Sequence, residues 1–563
     1  MKAALSFALL GLIVVLVLSA CSGASADLSQ STPQLITLET VEVVSETPAQ
    51  PALPTSTLIP PTASPSPTPV PQLWIPDYIP EALITKLAAQ LGDGFLFITE
   101  QSATSLQLEI GGEVPVANWV YALVAPFPTI PDGLTTQELQ AAWQGTLGTG
   151  PFAGIPLLME AATSEVLTQL WGPAASGAVE VLPSGELLTT SWDRRPSWAI
   201  VPFEQLDSQW KVLQIDGIMP IQKGFDPAAY PLAVEFGLSA DPGVEIDPVS
   251  NYDPAQMTDI MLTGVTALVR GTALTMERKG VLYPGEDIRP LTSAVDIMHV
   301  NNEIPFTPDC PFPELYTEKL VFCSDVSYLD LLTDIGTDVV EVSGDHFGDH
   351  GPEGTLFTLD LYDQVGLPYY GGGRDIEDGR KPYLIEHHGN KIAFIGCNAK
   401  GSHYYASADE NTPGAVPCDF DWLEGEIARL KAEGYVVIMT FQHVEYYSFV
   451  AQPDLVRDFG RMAAAGADIV SGSQSHQAHG YAFQNGATIH YGLGNLFFDQ
   501  YQYCENAVCD YGFMDRHVIY AGRHISTEII PIRFIDMARP RPMTPEEKAW
   551  FLGIIFEASG WGQ

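Results

Sequence analysis

Positive charge is scarce in this sequence. Twenty-six Lys and Arg stand against 69 Asp and Glu, and the formal net charge is −43. Such a surface repels phosphate backbones and anionic headgroups, which argues against a nucleic-acid partner. It also denies a polyanion any broad docking face, so an anionic ligand must meet a local positive group or a metal. Cysteine is sparse too, with seven residues and no Cys-x-x-Cys pair, which argues against a zinc–thiolate cluster. Beyond the first twenty residues no apolar run approaches the ~20 residues that span a bilayer. No repeat recurs at the periods of solenoids or propellers. Residues 22–72 contain no Lys or Arg at all.

What is present begins with an address. Lys2 is the only charge in residues 1–20, residues 3–18 are almost uniformly apolar, and Leu18-Ser19-Ala20 leads directly into Cys21. A short apolar run with a small-residue exit reads as a processed signal rather than a spanning helix. Residues 1–21 are therefore expected to be a lipoprotein signal and lipobox, with Cys21 lipidated and the chain anchored outside a bacterial-type cytoplasmic membrane. Loss of residues 1–20 removes Lys2 and leaves a charge of −44. An oxidising compartment permits disulfides among the six remaining cysteines, which allow fifteen connectivities. The nearest-neighbour set is the simplest: Cys310–Cys323, Cys397–Cys418 and Cys504–Cys509.

Residues 22–72, dense in Pro, Ser and Thr toward their end, read as a disordered, extended tether. A first domain is expected over residues 73–247. It has a helical pattern at 82–91 (Leu83, Ile84, Leu87 and Leu91 on one face), an apolar strand at 119–124, and a helix start at Thr135 with Glu138 as a capping box. A second domain is expected over 257–535. Short apolar strands at 260–268, 295–300, 338–342, 391–395, 435–440, 467–470 and 488–491 alternate there with helices at 325–335, 420–433 and 454–465. That alternation is the pattern of a layered α/β fold. Residues 536–563 hold a last helix, capped by Thr544, Pro545 and Glu547. Its apolar face of Trp550, Phe551, Ile554 and Ile555 is expected to dock on the second domain.

Polar residues of the second domain gather just after its strands. Glu303, Asp345 with His346, His443 with Glu445, His476, and Asn495 all follow strand ends. In α/β sheets ligands bind beyond the carboxyl ends of the strands, so these residues are expected to share one rim as a metal or acid–base site. Imidazole with carboxylate suits Mn, Zn, Fe or Ni. His299, His387, His388 and His490 read instead as hydrogen-bonded structural residues.

Six ordered segments within residues 259–499 resemble the CapA family of poly-gamma-glutamate capsule-synthesis proteins. They are Gly264-Val265-Thr266-Ala267-Leu268-Val269-Arg270; Asn301-Asn302-Glu303; Gly344-Asp345-His346 with Asp349-His350-Gly351; Phe441-Gln442-His443-Val444-Glu445-Tyr446; Gly472-Ser473-Gln474-Ser475-His476; and Tyr491-Gly492-Leu493-Gly494-Asn495-Leu496. The resemblance implies a layered, metallophosphoesterase-like α/β sandwich. It implies metal ligation by Asp345, His346, His443 and His476, and catalysis by His443, His476 and Glu303. Arg270, Asn495 and Glu445 would bind substrate. Three departures bear on the site. Val265 stands where the family has Asp, Phe441 where it has His, and Ser473-Gln474 where it has two His. One divalent ion (Mn, Zn or Fe) is therefore expected rather than two.

The first domain resembles solute-binding proteins of the phosphate-binding type, through residues 121–126, 134–139 and 143–145 and the strand at 198–203. The function expected from these likenesses is metal-dependent hydrolysis or transfer on an anionic envelope polymer or phosphoester, alongside other capsule-synthesis proteins. The alternative is a non-catalytic binding or assembly protein on the same scaffold.

Overall fold

The computed structural model describes residues 70–562, apart from 104, 317–318, 401–406 and 501–508. The expected signal, Cys21 and nearly all of the tether lie outside the described residues, as does Cys504. Residues 69–563 form one compact unit. No helix among the described residues is long and apolar enough to cross a membrane.

The N-terminal part is a mixed sheet built on the long strand Val114–Pro126. That strand pairs antiparallel with Ala233–Leu238 along its first half, and along its second half it runs between Trp198–Pro202 and Trp210–Val212, so that Val124 faces both Ala199 and Val212. Its apolar run, Trp119 through Ala125, is buried at the centre. The helix Thr136–Trp143 starts at Thr135, and the expected capping box is formed in full. The helix Glu81–Leu91 buries Leu83 and Leu87, whereas Ile84 and Leu91 are only half-buried.

The rest is a four-layered α/β sandwich, as the alternation of strands and helices predicts. A nine-stranded sheet carries Met257–Thr263 at its centre, between parallel Ile297–Asn302 and antiparallel Tyr511–Tyr520. A six-stranded sheet is built on parallel Asn390–Asn398, Val436–Gln442 and Ile469–Gly472. The period of two along each strand assigns the layers. Ile260, Leu262, Ile392, Phe394, Val436 and Ile438 face one another in the core between the sheets. Their neighbours Met261 and Met298 turn to the outer side, in a core that also holds Leu359 and Tyr362 of the helix Gly351–Val365. Ala393, Ile395, Val437 and Met439 turn the other way, to a core shared with the helices Phe420–Ala432 and Pro453–Ala465. Strands buried on both faces read as continuous apolar runs, which is why they were visible in the sequence.

Some bounds differ from expectation. The strand expected over 260–268 breaks at Gly264, where an added Cβ would lie 1.9 Å from the Gly494 carbonyl oxygen. It resumes only as Val265–Thr266. The helix expected over 325–335 is a 3-10 turn, Val326–Tyr328, running into Leu329–Asp334. The terminal helix Pro545–Ala558 docks as expected, with Thr544 and Glu547 forming its capping box. It does so through Phe551, Leu552, Ile555 and Phe556. Trp550 is 49% exposed, so the buried stripe is rotated from the expected one. Two of the expected disulfides, Cys310–Cys323 and Cys397–Cys418, are formed.

Candidate functional site

The parallel strands of both sheets point their carboxyl ends toward one rim, and the loops leaving them enclose a cleft of about 330 Å³. Glu303 follows Ile297–Asn302, Asp345 and His346 follow Val339–Glu341, and Glu445 follows Val436–Gln442. His476 follows Ile469–Gly472. All five line the cleft, together with Arg270, Phe322, Asp349, Lys400 and Phe498. Gly344 lets two of these loops touch. A Cβ there would stand 2.2 Å from the Glu303 carbonyl oxygen, so only glycine lets Glu303 and Asp345 converge.

The cleft has two flanks. On the first, Glu303, Asp345 and His346 can each offer one ligand atom, and these atoms lie within 4.8 Å of one another. The His346 Nδ1 is 2.8 Å from Asp349 Oδ2, which leaves Nε2 as the ring atom not engaged by that carboxylate. A carboxylate behind an imidazole is the usual support of a metal ligand. The Glu303 carboxyl is buried, and its Oε2 has no hydrogen-bond partner.

On the second flank a lysine sits among carboxylates. Lys400 Nζ lies 2.5 Å from Asp345 Oδ2 and 2.6 Å from Glu445 Oε1. Gln474 Nε2 donates to Glu445 Oε1 at 3.0 Å, and Gln442 Nε2 donates to Asp345 Oδ1 at 3.2 Å. His476 Nε2 is 4.0 Å from Glu445 Oε1, and its Nδ1 is held 2.9 Å from Asn495 Oδ1.

Burial and charge set the protonation states. Burial, reinforced by the Asp345 charge, pushes the Glu303 carboxyl well above the usual carboxylate range. Against the upward push of burial, Lys400 and His346 hold Asp345 below that range. Burial pushes His346 down, but the Asp349 hydrogen bond and the charges of Glu303 and Asp345 outweigh it and raise the ring to about 9. Burial lowers His476. Burial is likewise overcome at Glu445, where His476 and Lys400 lower the carboxyl.

The structure does not bring every expected residue to the cleft. His443 turns away: its Nε2 is 3.0 Å from Asp458 Oδ2 on the helix Pro453–Ala465, and its Nδ1 accepts from the Val444 amide. Arg270 reaches the cleft wall, but its guanidinium is engaged by Asp499 and Gln500 and lies 4.4 Å from the Phe498 ring. Asn495 acts through His476. Val265 packs with Ala267, Ile304, Phe322 and Phe498 in a small apolar cluster, and Phe441 stacks on Phe459 at 4.7 Å, toward the helices. Lys400 was missed, although it follows the strand Asn390–Asn398 and the strand-end rule would have found it. His299 and His490 are structural as expected, bonded to Tyr370 and Asp515.

A layered α/β protein with carboxylates and imidazoles gathered on a strand-end rim is thus the class that fold and site define. Residues 259–500 match the family described as "Bacterial capsule synthesis protein PGA_cap". The chain is 27% identical over 226 residues to the PGA biosynthesis protein CapA of Bacillus subtilis, a match covering 40% of this chain and 59% of that protein. It is 23% identical over 306 residues to the capsule biosynthesis protein CapA of Bacillus anthracis, covering 53% and 72%. Residues 259–500 are thus the part of the chain that is similar to the CapA capsule-biosynthesis proteins. Among solved structures, the NAD nucleotidase of Haemophilus influenzae is similar at a TM-score of 0.30 and 10% identity, over 52% of this chain and 54% of that one.

Proposed function

We propose that this chain is a cell-envelope protein of capsule-polymer synthesis or processing, and that its cleft is a one-metal hydrolase or transferase site for an anionic polymer of the poly-gamma-glutamate type. The observation that carries this reading is the convergence of Glu303, Asp345 and His346, with Asp349 behind the imidazole. The donor set fits a divalent ion. It offers two carboxylates and one imidazole, one carboxylate oxygen is buried without a partner, and the chemistry suits Mn, Fe or Zn. Such an ion would supply a Lewis acid and lower the pKa of a bound water.

The chain's own groups do the rest. Lys400 and Arg270 bring positive charge to the cleft of an acidic protein, and an anionic chain would compete for them with Asp345 and Glu445 at Lys400 and with Asp499 at Arg270. His476, kept neutral by burial and oriented by Asn495, is placed to take or return a proton at Nε2. Lipidation at Cys21 and the tether would hold this cleft outside the membrane. The N-terminal solute-binding-like part would dock on it or present ligand to it. A second reading is favoured by a specific observation: Lys400 fills the space between Asp345 and Glu445 with an ammonium. A binding or assembly protein that kept the cleft without catalysis would look the same.

The test is elemental analysis of the purified protein beside a Glu303→Gln, His346→Ala variant, followed by sizing of poly-gamma-glutamate incubated with each. One Mn, Fe or Zn per chain in the parent only, with a change in polymer length, supports the enzyme. Polymer binding without a length change, at any metal content, favours the assembly reading.

A further inference from the structure

A second imidazole–carboxylate group lies at the far end of the same sheets. The hairpin joining Tyr383–His387 to Asn390–Asn398 turns through His388 and Gly389. Their φ values are +49° and +74°, the paired left-handed residues that a two-residue type I′ turn requires. Asn, Asp and Gly are the ordinary occupants of such a turn. An imidazole there holds a backbone conformation that non-glycine residues seldom adopt. Asp296, just before the strand Ile297–Asn302, faces this turn. It sits at the amino end of that strand, whereas Glu303 of the cleft follows the carboxyl end.

Asp296, His387 and His388 can each offer one ligand atom, and these atoms lie within 4.8 Å of one another. Hydrogen bonds prepare both rings. The His388 Nδ1 is 2.6 Å from the Met257 carbonyl oxygen. A carbonyl only accepts, so Nδ1 carries the proton and Nε2 keeps its lone pair. The His387 Nδ1 is 3.1 Å from Thr258 Oγ1. That hydroxyl donates to the His387 carbonyl at 3.1 Å and accepts from Asn390 Nδ2 at 2.9 Å, so it receives the ring proton and frees Nε2. A backbone carbonyl or hydroxyl behind each ring is the arrangement that fixes the tautomer of a metal-ligating histidine. The two rings lie 3.9 Å apart, centroid to centroid.

The carboxylate is also fixed. Asp296 Oδ2 accepts from the Asp259 amide at 3.0 Å, and Oδ1 pairs with Lys223 at 2.7 Å. The Lys223 side chain is 57% exposed, and so exposed an ion pair contributes little. Lys223 can therefore yield its place to a stronger cation. Asp338 lies close enough to act electrostatically on His387 and is itself influenced by Asp296, which adds to the negative field around the group.

We propose that Asp296, His387 and His388 form a second, solvent-facing site for a transition-metal dication of the zinc class, separate from the cleft. Binding ties the hairpin turn to the start of the strand Ile297–Asn302 and releases Lys223. Because Lys223 belongs to the N-terminal part of the chain, the ion would act at the seam between that part and the capsule-family region. Two imidazoles and one carboxylate leave room for a further ligand, either solvent or a group from a partner.

The experiment is equilibrium dialysis of the purified protein against Zn²⁺, with Co²⁺ absorption as a second readout. It compares the parent with His388→Asn, Thr258→Val and Glu303→Gln. Asn tolerates the left-handed turn, so His388→Asn removes the ligand and keeps the hairpin; its thermal unfolding without metal checks this. The expected result is loss of one equivalent in His388→Asn, roughly 10-fold weaker binding in Thr258→Val, and retention of that equivalent in Glu303→Gln. Unchanged stoichiometry and affinity in both His388→Asn and Thr258→Val would overturn the site. So would a single bound ion lost only in Glu303→Gln, a result that would leave the cleft reading intact.

Discussion

The two flanks of the cleft share Asp345 but treat it differently. Toward Glu303 and His346 the neighbouring groups are donors converging on open space, with a buried carboxylate oxygen lacking a partner. Toward Glu445 the same aspartate meets Lys400, and the space is closed by an ammonium with hydrogen bonds from Gln442 and Gln474 around it. A buried set of carboxylates needs positive charge from somewhere. One flank draws it from the His346 imidazole, raised to about 9, and the other from the Lys400 ammonium. Of the three departures only Gln474 touches this flank, where it donates to Glu445; Val265 packs in an apolar cluster and Phe441 stacks on Phe459 toward the helices.

The largest expected effect breaks the open flank. Glu303→Gln with His346→Ala should abolish binding of Mn or Zn at the cleft, read by elemental analysis after dialysis. Retained metal there would move the site elsewhere. Next comes the closed flank. Lys400→Met leaves Asp345 and Glu445 without their shared cation, and breaking such a pair should lower stability by about 3 kcal/mol in metal-free buffer. Added Mn or Zn should restore part of that loss in urea unfolding. A variant as stable as the parent would show that Lys400 does not serve as the cation.

A smaller effect is expected from the support behind His346. Asp349→Asn should weaken metal affinity roughly 10- to 100-fold without removing a ligand, measured by competition with a chelator. The same pair predicts a pH dependence. The folded-state pKa of His346 is raised from 6.5 to about 9. Its contribution to stability is thus fully present below pH 6.5 and is lost as pH rises toward 9. Metal-free parent should lose stability across that window, and Asp349→Asn should show less of the loss. The smallest effect separates cleft from scaffold. His443→Ala should leave metal stoichiometry unchanged and lower stability by about 1 kcal/mol through the lost Asp458 contact, read by elemental analysis and urea unfolding.

Much of the fold was legible because its signals are local. Seven strands in the second domain were marked by short apolar runs, and two helix starts by a Thr followed three residues later by a Glu. The long hairpin Tyr511–Tyr520 and Arg523–Phe534 was not read. Its first strand is buried along almost its whole length and carries Asp515, Arg516 and His517, so it shows neither alternation nor an unbroken apolar run. The helix Gly351–Val365 was missed too, since it begins with glycine and proline and buries Thr355 and Thr358 beside Leu359 and Tyr362. At the site, strand ends pointed to Glu303, Asp345, His346 and His476. They also pointed to His443, because position after a strand says nothing about which way a ring turns. His387 and His388 looked like ordinary turn residues, since Asp296 is some ninety positions away in the chain.

The sequence by itself determined the layered α/β class, the alternation that sorts each strand's residues between two cores, the helix caps, the acidic surface, and the rim on which polar side chains would gather. These follow from chain periodicity and residue chemistry, which act over a few positions. Only the tertiary structure decided that Lys400 closes one flank, that Asp349 stands behind His346, and that His443 serves a helix instead of the cleft. Each of those depends on loops from different strands meeting within hydrogen-bond distance, and a contact between distant segments leaves no trace in the pattern of either one.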